Sequence, residues 1–310
     1  MKNSDLHVHS YYSDGDLPPS QVVKLAKQKG IKNLALTDHN SFDGVLEAIK
    51  EGKKQGVNVI PAIEIRAKED EVLGYFIDYK NEKFRREMKK IQNNLIKRVK
   101  KIIIKLNKKG IDVSFEDLLK KYYPNTTNLM EIHLIKYLKF KGYGDIRELW
   151  PRYISKGGET YVPIKEISVI DSIKLVKKFG GIPILAHPWV NPSSRELLHE
   201  KNFKKLIKSG LRGIEVDNGD RDERRDKKTL DKIQKLAKRY GLILTSGSDF
   251  HGDYLVKATK CHDIGDYNCD EKVVEQLKEL RGLRWALQFT PYGWEVWKDI
   301  SAQRAELLEV

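Results

Sequence analysis

Histidine and carboxylate side chains recur in short clusters along this chain of 310 residues. His7 and His9 stand in Asp5-Leu6-His7-Val8-His9, with Asp14 close behind; Asp38-His39 and Glu64 follow, and His187 and the pair Asp249 and His251 arrive much later. Imidazole nitrogens with carboxylate oxygens suit divalent zinc, iron or manganese, and the lack of cysteine in the set argues against a purely structural zinc knot. The candidates outnumber the roughly four to six donors that fill one shell, so two or three ions are expected. Adjacent ions sharing a carboxylate make water acidic enough to be hydroxide at neutral pH and hold phosphate oxygens as charge moves to the leaving group. Hydrolysis of a phosphoester follows as the expected reaction, with hydrolysis of an amide or lactone as its chemical rival.

Each cluster lies where an apolar run turns polar: Leu34-Ala35-Leu36 before Asp38, Val59-Ile60 before Glu64, Ile182 to Ala186 before His187, and Leu242-Ile243-Leu244 before Asp249. That is the pattern of strand ends. Five of the eight histidines fall at such positions. A parallel α/β barrel brings the ends of its strands to one face, so donors far apart in sequence can meet.

Residues 2 to 79 alternate strand and helix: a strand over Leu6 to Val8, a helix opened by Pro18-Pro19-Ser20 and ending at Gly30, a strand through Leu36, a helix stopping near Gly56, and strands through Ile63 and over Val72 to Ile77. The alternation resumes after residue 160, with a helix around Ile173 and Val176, the strand to Ala186, a helix, the strand Gly213-Ile214-Glu215-Val216, a helix over residues 223 to 239 and the strand before Asp249. A largely parallel, closed sheet is implied. Residues 80–160 differ. Their apolar stripe Ile91, Leu95, Val99, Ile102 and Leu106, a capping box at Ser114 and Asp117, and the run Leu134-Ile135-Leu138 predict an all-helical insertion. The expected division is therefore a discontinuous barrel over 1–79 and 161–290, the insertion over 80–160, and an extension over 291–310.

The insertion carries 21 Lys and Arg against 9 Asp and Glu, most of the chain's net charge of +14. Solvated helix faces and attraction of a polyanion are both consistent with that excess. No apolar run approaches the roughly 18 residues of a membrane span, and no signal-peptide pattern opens the chain, so a soluble, cytoplasmic protein is expected. Cys261 and Cys269 lack zinc-ribbon spacing and are expected as free thiols, with His262 between them leaving a small metal site open. Trp285, Phe289, Tyr292, Trp294 and Trp297 predict a packed C-terminal stretch, a dimer contact or a base-stacking surface.

Taken in order, Asp5-Leu6-His7-Val8-His9-Ser10, Ser13-Asp14-Gly15, Thr37-Asp38-His39, Ile63-Glu64-Ile65, Leu73-Gly74-Tyr75, Ala186-His187-Pro188 and Gly247-Ser248-Asp249-Phe250-His251-Gly252 resemble the motifs of the PHP (polymerase and histidinol phosphatase) superfamily. Tyr161-Val162-Pro163 and Gly180-Gly181-Ile182-Pro183 look like its phosphoesterase branch, which includes nucleoside bisphosphate phosphatases and 5′-3′ exoribonucleases. The resemblance implies a distorted (β/α)7 barrel with a helical insertion and a trinuclear site at the C-terminal ends of the strands. It implies that His7, His9, Glu64 and Asp249 hold one ion, that Glu64 bridges to a second held by His187, and that Asp14, His39 and His251 hold a third that fixes phosphate. A metal-bridging hydroxide would attack phosphorus, with Asp38 orienting His39.

Two positions depart from that branch. Glu71 replaces a histidine ligand of the second ion, and its harder carboxylate favours manganese or iron over zinc. Glu131 stands where the branch commonly has a phosphate-gripping arginine, in Asn128-Leu129-Met130-Glu131-Ile132-His133. His133, retained there, is open to a catalytic or phosphate contact and to a packed core role. Lys165, after Tyr161-Val162-Pro163, is open to a phosphate contact and to plain solvation. The expected protein is a manganese-favouring phosphoesterase acting on a nucleotide or short oligonucleotide. The alternative is a noncatalytic nucleic-acid-binding module with structural metals.

Overall fold

The computed structural model describes residues 2–190, 192–218, 226–252 and 263–289, with residues 283–289 described through their backbone alone. Eight strands form one sheet in the order β7-β6-β5-β4-β3-β2-β1-β8. They are β1 (Lys2–Val8), β2 (Asn33–Leu36), β3 (Asn58–Arg66), β4 (Glu71–Tyr75), β5 (Ile182–Leu185), β6 (Gly213–Asn218), β7 (Ile243–Gly247) and the two-residue β8 (Cys269–Asp270). The pairs β1 with β2, β2 with β3, β5 with β6 and β6 with β7 are parallel, whereas β4 runs antiparallel to both β3 and β5. Residues 67–70 are the whole connection between β3 and β4, too short for the crossover a parallel pair needs, so the chain turns back as a hairpin. β4 also stops two residues before Ile77, and β8 adds an antiparallel edge to β1 beyond the seven expected strands.

The sheet curls into a nearly closed barrel because β1 meets the end of β7. Asp249 N–H donates to the His7 carbonyl at 2.8 Å, His9 N–H donates to the Phe250 carbonyl at 2.9 Å, and Val8 bridges Phe250 in parallel. The outer layer holds α1 (Pro19–Gln28), α2 (Val45–Gln55), α7 (Val169–Lys178), α8 (Pro192–Leu197), α9 (Glu200–Ser209) and α10 (Lys227–Tyr240). Proline in the first turn of α1 and left-handed Gly56, Gly210 and Gly241 after α2, α9 and α10 are the start and stop signals. Their apolar faces bury Val22, Val23, Ala26, Ile173 and Val176 against the strands. A last helix, α11 (Glu271–Phe289), sets Val274 and Leu277 against Leu6 and Ile184.

Between β4 and α7 the chain is helical: α3 (Glu82–Lys108), α4 (Phe115–Asp117), α5 (Glu131–Phe140) and α6 (Ile146–Leu149), with π-helical turns at Leu118–Tyr122 and Trp150–Ile154. Asn81 caps α3 by accepting from the N–H groups of Lys83 and Phe84, and Ser114 caps α4 by accepting from Asp117 N–H. The long α3 serves two cores. Phe84 and Met88 pack with the barrel, while Val99, Ile102 and Leu106 pack with Leu134, Leu138, Leu149 and Tyr153.

No helix among the described residues is long and apolar enough to cross a membrane. Cys269 is a buried free thiol. Cys261, His262, the extension over 291–310, the first residues of the helix expected from 223, and the side chains of Trp285, Phe289, Tyr292, Trp294 and Trp297 lie outside what is described.

Gly247 makes the closure possible. A Cβ there would lie 2.4 Å from both the backbone nitrogen and the Cβ of His7. Gly247→Ala is expected to destabilise the fold by about 3 kcal/mol through overpacking, read as a lower midpoint in urea unfolding.

Candidate metal centre

His7 on β1 and His9, the residue just past its end, fall two apart and so on one face, and the closure carries Asp249 and His251 beside them from beyond the end of β7. Glu64 comes from β3 and Glu71 from the start of β4, which, running backwards, opens on the same rim. His187 and Asp249 take positive φ angles of 22° and 53°, and Asn40, after His39, takes 50°. Such angles in residues with a Cβ store strain and often accompany functional sites.

His7 Nε2 lies 3.2 Å from Glu64 Oε2 and 3.3 Å from Asp249 Oδ1; His9 Nε2 lies 3.3 Å and 3.1 Å from the same two atoms. The other Glu64 oxygen, Oε1, is 3.1 Å from His187 Nε2. Glu71 stands 3.5 Å from both His39 Nδ1 and His187 Nε2, and His39 Nδ1 is 3.1 Å from Glu64 Oε2. Asp14 lies 3.4 Å from His251 Nε2 and 3.8 Å from both His9 Nδ1 and His39 Nε2. The rings of His9 and His251 stack with centroids 4.1 Å apart.

Four sets keep their donor atoms within 4.8 Å of one another: His9, Asp14, His39 and His251; His7, His9, Glu64 and Asp249; His7, His187 and Glu215; and His39, Glu64 and Glu71. All nine metal-ligand candidates from the sequence are thus brought together.

Burial alone would lower His7, but Glu64, Asp249 and Glu215 outweigh it and hold its imidazole well above the usual range. His9 is likewise buried, yet Asp249 and Glu64 raise it to about 10. Burial would raise Asp14, Glu64 and Asp249, and the surrounding histidines instead hold all three carboxyls well below the usual range. Asp14 Oδ1, His39 Nδ1, Glu64 Oε2 and Asp249 Oδ2 are buried without a hydrogen bond. Buried oxygens and ring nitrogens crowded together but not hydrogen-bonded are donors suited to cations, so the residues fit the implied ions.

Glu215 escaped sequence reasoning. It lies in the apolar run of β6, fully buried, with Oε1 3.0 Å from His7 Nδ1 and Oε2 accepting from His187 N–H at 2.9 Å. A carboxylate inside a buried parallel strand was the available signal, because such a charge must be paired. Asp5 does similar work on the other side. It accepts from the N–H groups of His7, Ser248 and Gly265, and burial pushes its carboxyl up to about 6.

One expectation needs correction, and His133 and Lys165 each take one of the readings the sequence left open. Asp38 does not orient His39. Its oxygens accept from Ser10 N–H, the Ser10 hydroxyl and the Ser13 hydroxyl, each at 2.7 Å, so it shapes the loop leading to Asp14. His133 has neither ring nitrogen available for catalysis or substrate. Nδ1 accepts from Met130 N–H at 3.0 Å, which leaves the proton on Nε2 to donate to the Ser13 carbonyl at 2.7 Å. Burial, with Lys136 near, pushes it down to about 4. Lys165 is exposed and lines a cavity between α3 and α7 rather than the histidine cluster.

The PHP domain model matches residues 5–280. A 3′,5′-nucleoside bisphosphate phosphatase of Chromobacterium violaceum is 29% identical over 259 residues, covering 81% of this chain and 88% of that protein. A 5′-3′ exoribonuclease of Haemophilus influenzae is 28% identical over 259 residues, covering 81% and 90%. Among solved structures, a candidate metal-dependent phosphoesterase from Bifidobacterium adolescentis superposes with a TM-score of 0.79 at 25% identity, over 89% of this chain and 96% of that one.

Glu215→Gln, which weakens the hold on His7 without emptying the space, is expected to reduce metal affinity about 10- to 100-fold, measured by equilibrium dialysis against manganese. His133 is neutral in the fold at about 4 against an ordinary 6.5, so the unfolded chain takes up the extra proton between these values. Its contribution is complete above pH 6.5 and is lost as pH falls toward 4, by about 3 kcal/mol in all. His133→Gln should flatten that acid dependence by about 2 kcal/mol relative to the native chain, the part that falls between pH 7 and 4.5, read from urea unfolding at those two values.

Proposed function

This chain belongs to the PHP domain family, and we propose that its histidine and carboxylate cluster is the active centre of a metal-dependent phosphoesterase acting on a nucleotide or the end of a short oligonucleotide. The observation that carries this reading is Glu64. One of its oxygens faces His187 while the other faces His7, His9 and His39, so a single carboxylate stands between separate donor sets. That is the arrangement expected of a bridging ligand in a site for two or three ions. When bound, such ions lower the pKa of water toward neutrality and act as Lewis acids on phosphate oxygens.

The protein's own groups have distinct tasks. His7, His9, Glu64 and Asp249 form one set; His39 and Glu71 join Glu64 in a second, with His187 beside both carboxylates; His9, Asp14, His39 and His251 form a third. Glu215 fixes the ring of His7, and Asp38 fixes the Asp14 loop through Ser10 and Ser13. Glu71 adds a hard oxygen donor, which favours manganese or iron over zinc. The nucleotide reading rests on the phosphatase and exoribonuclease relatives and on the excess of 12 positive charges over residues 80–160. In this reading those residues act as an inserted helical domain beside a barrel made of 1–79 and 161–290, attracting the polyanion.

Protein supplied with manganese is expected to release phosphate or nucleotide from an aryl phosphate, a nucleotide or a short RNA. His9→Ala, still folded by circular dichroism, should lose at least about 100-fold of that rate. Equal RNA binding by both proteins with no hydrolysis by either would instead identify a binding module.

A further inference from the structure

Glu131 introduces a negative charge where the resemblance led to an arginine, and the structure answers it with two arginines from elsewhere. The carboxylate is fully buried. Its Oε2 is 2.7 Å from Arg66 Nη1 and its Oε1 is 2.5 Å from Arg98 Nη1. Burial would raise the Glu131 carboxyl, but the two guanidiniums hold it below the usual range.

The two arginines are not equivalent. Arg98 is itself nearly buried, with its side chain 8% exposed, whereas that of Arg66 is 24% exposed. Arg66 is the last residue of β3 and pairs across the hairpin with Glu71, so both side chains leave the same face of the sheet. Glu71 in turn lies 3.5 Å from His39 and His187. On its other side Arg66 lines a cavity of about 570 Å³ between α3 and α7, where Lys90 and Lys174 pair with Glu87 and Asp171 and Lys165 stands exposed. Arg66 therefore stands where the donor cluster meets an open cavity whose rim mixes lysines with carboxylates.

Its guanidinium is also preset. Nη1 is held by Glu131, and Nε is held by Glu166 at 3.1 Å. Nη2 takes part in neither contact. An arginine hydrogen-bonded on one edge and ion-paired on another has lost part of its rotamer freedom before a ligand arrives, so its remaining edge can grip an oxyanion at a reduced entropic cost. Lysine could offer charge there but not this fork.

We propose that Arg66 is a substrate-binding residue that donates from Nη2 to a phosphate oxygen of the substrate, with Glu131 and Glu166 as the positioning residues that aim it. The ligand class is an organic phosphate, either a monoester or a diester. Its phosphate approaches between the donor cluster and the cavity. This assignment rests on the phosphoesterase reading and supplies the guanidinium that position 131 lacks.

The test is calorimetric titration of inorganic phosphate into the full chain, with manganese supplied and again after chelation, for the native protein, Arg66→Ala and Arg66→Lys. Arg66→Ala is expected to bind phosphate about tenfold more weakly in both conditions, as loss of a charge-assisted contact predicts, and Arg66→Lys several-fold more weakly. Arg66→Lys retains a cation opposite Glu131, so it decides alone if Arg66→Ala does not fold. Phosphate affinity within twofold of native in a folded Arg66→Lys, or no phosphate binding by the native chain, overturns the assignment. Failure of the phosphoesterase reading has a separate signature, absence of hydrolysis by the manganese-supplied native chain, and leaves the binding measurement intact.

Discussion

Glu64, Asp249 and Asp14 are buried in one small volume, where an uncompensated carboxylate costs several kcal/mol. Five imidazoles from four parts of the chain surround them, and each carboxyl is held low by those rings. Like charges can share such a space only if positive charge is interleaved with them, from protons on the rings or from cations in their place. The barrel has to bring the two ends of the chain together accurately enough to keep that balance. The backbone bonds between His7 and Asp249 and between His9 and Phe250 are therefore part of the site as much as part of the sheet.

The helical segment does more than flank this centre. Thr126 donates to the Tyr12 and Ser13 carbonyls, His133 to the Ser13 carbonyl, Lys136 to the Asp14 carbonyl, and Asn128 to the His39 carbonyl. These bonds end on the loops that carry Asp14 and His39. Loops cannot satisfy such carbonyls from a sheet ladder, so side chains of α5 and of the segment just before it take over that role. His133 illustrates the consequence: its neutral state and its fixed tautomer both follow from the two backbone groups it joins, and its burial follows from the helix on which it sits.

Much of the cluster was legible in the sequence because histidines and carboxylates recurring at strand ends have few reasons to be there other than to meet. His7, His9, His39, Glu64, His187, Asp249 and His251 all stood at the junction of an apolar run with polar residues, and a parallel barrel converts that position into proximity. Glu215 was hidden by lying within an apolar run, where hydrophobic pattern speaks louder than one charge. Asp38 was misjudged, and His133 left open between two roles, for a different reason. Residue type gives a side chain's capability, whereas its actual partners depend on which backbone groups a loop leaves unsatisfied nearby.

Sequence by itself determined which nine histidines and carboxylates would gather at the strand ends, the alternating strands and helices, and the helical, basic character of residues 80–160, since these depend on residue type and local periodicity. Tertiary structure decided the reversal of β4, the pairing of Glu131 with Arg66 and Arg98, and the anchoring of His7 by Glu215. Each of those joins groups distant along the chain, and their partnership is set by barrel closure and by the demand that buried charges be neutralised.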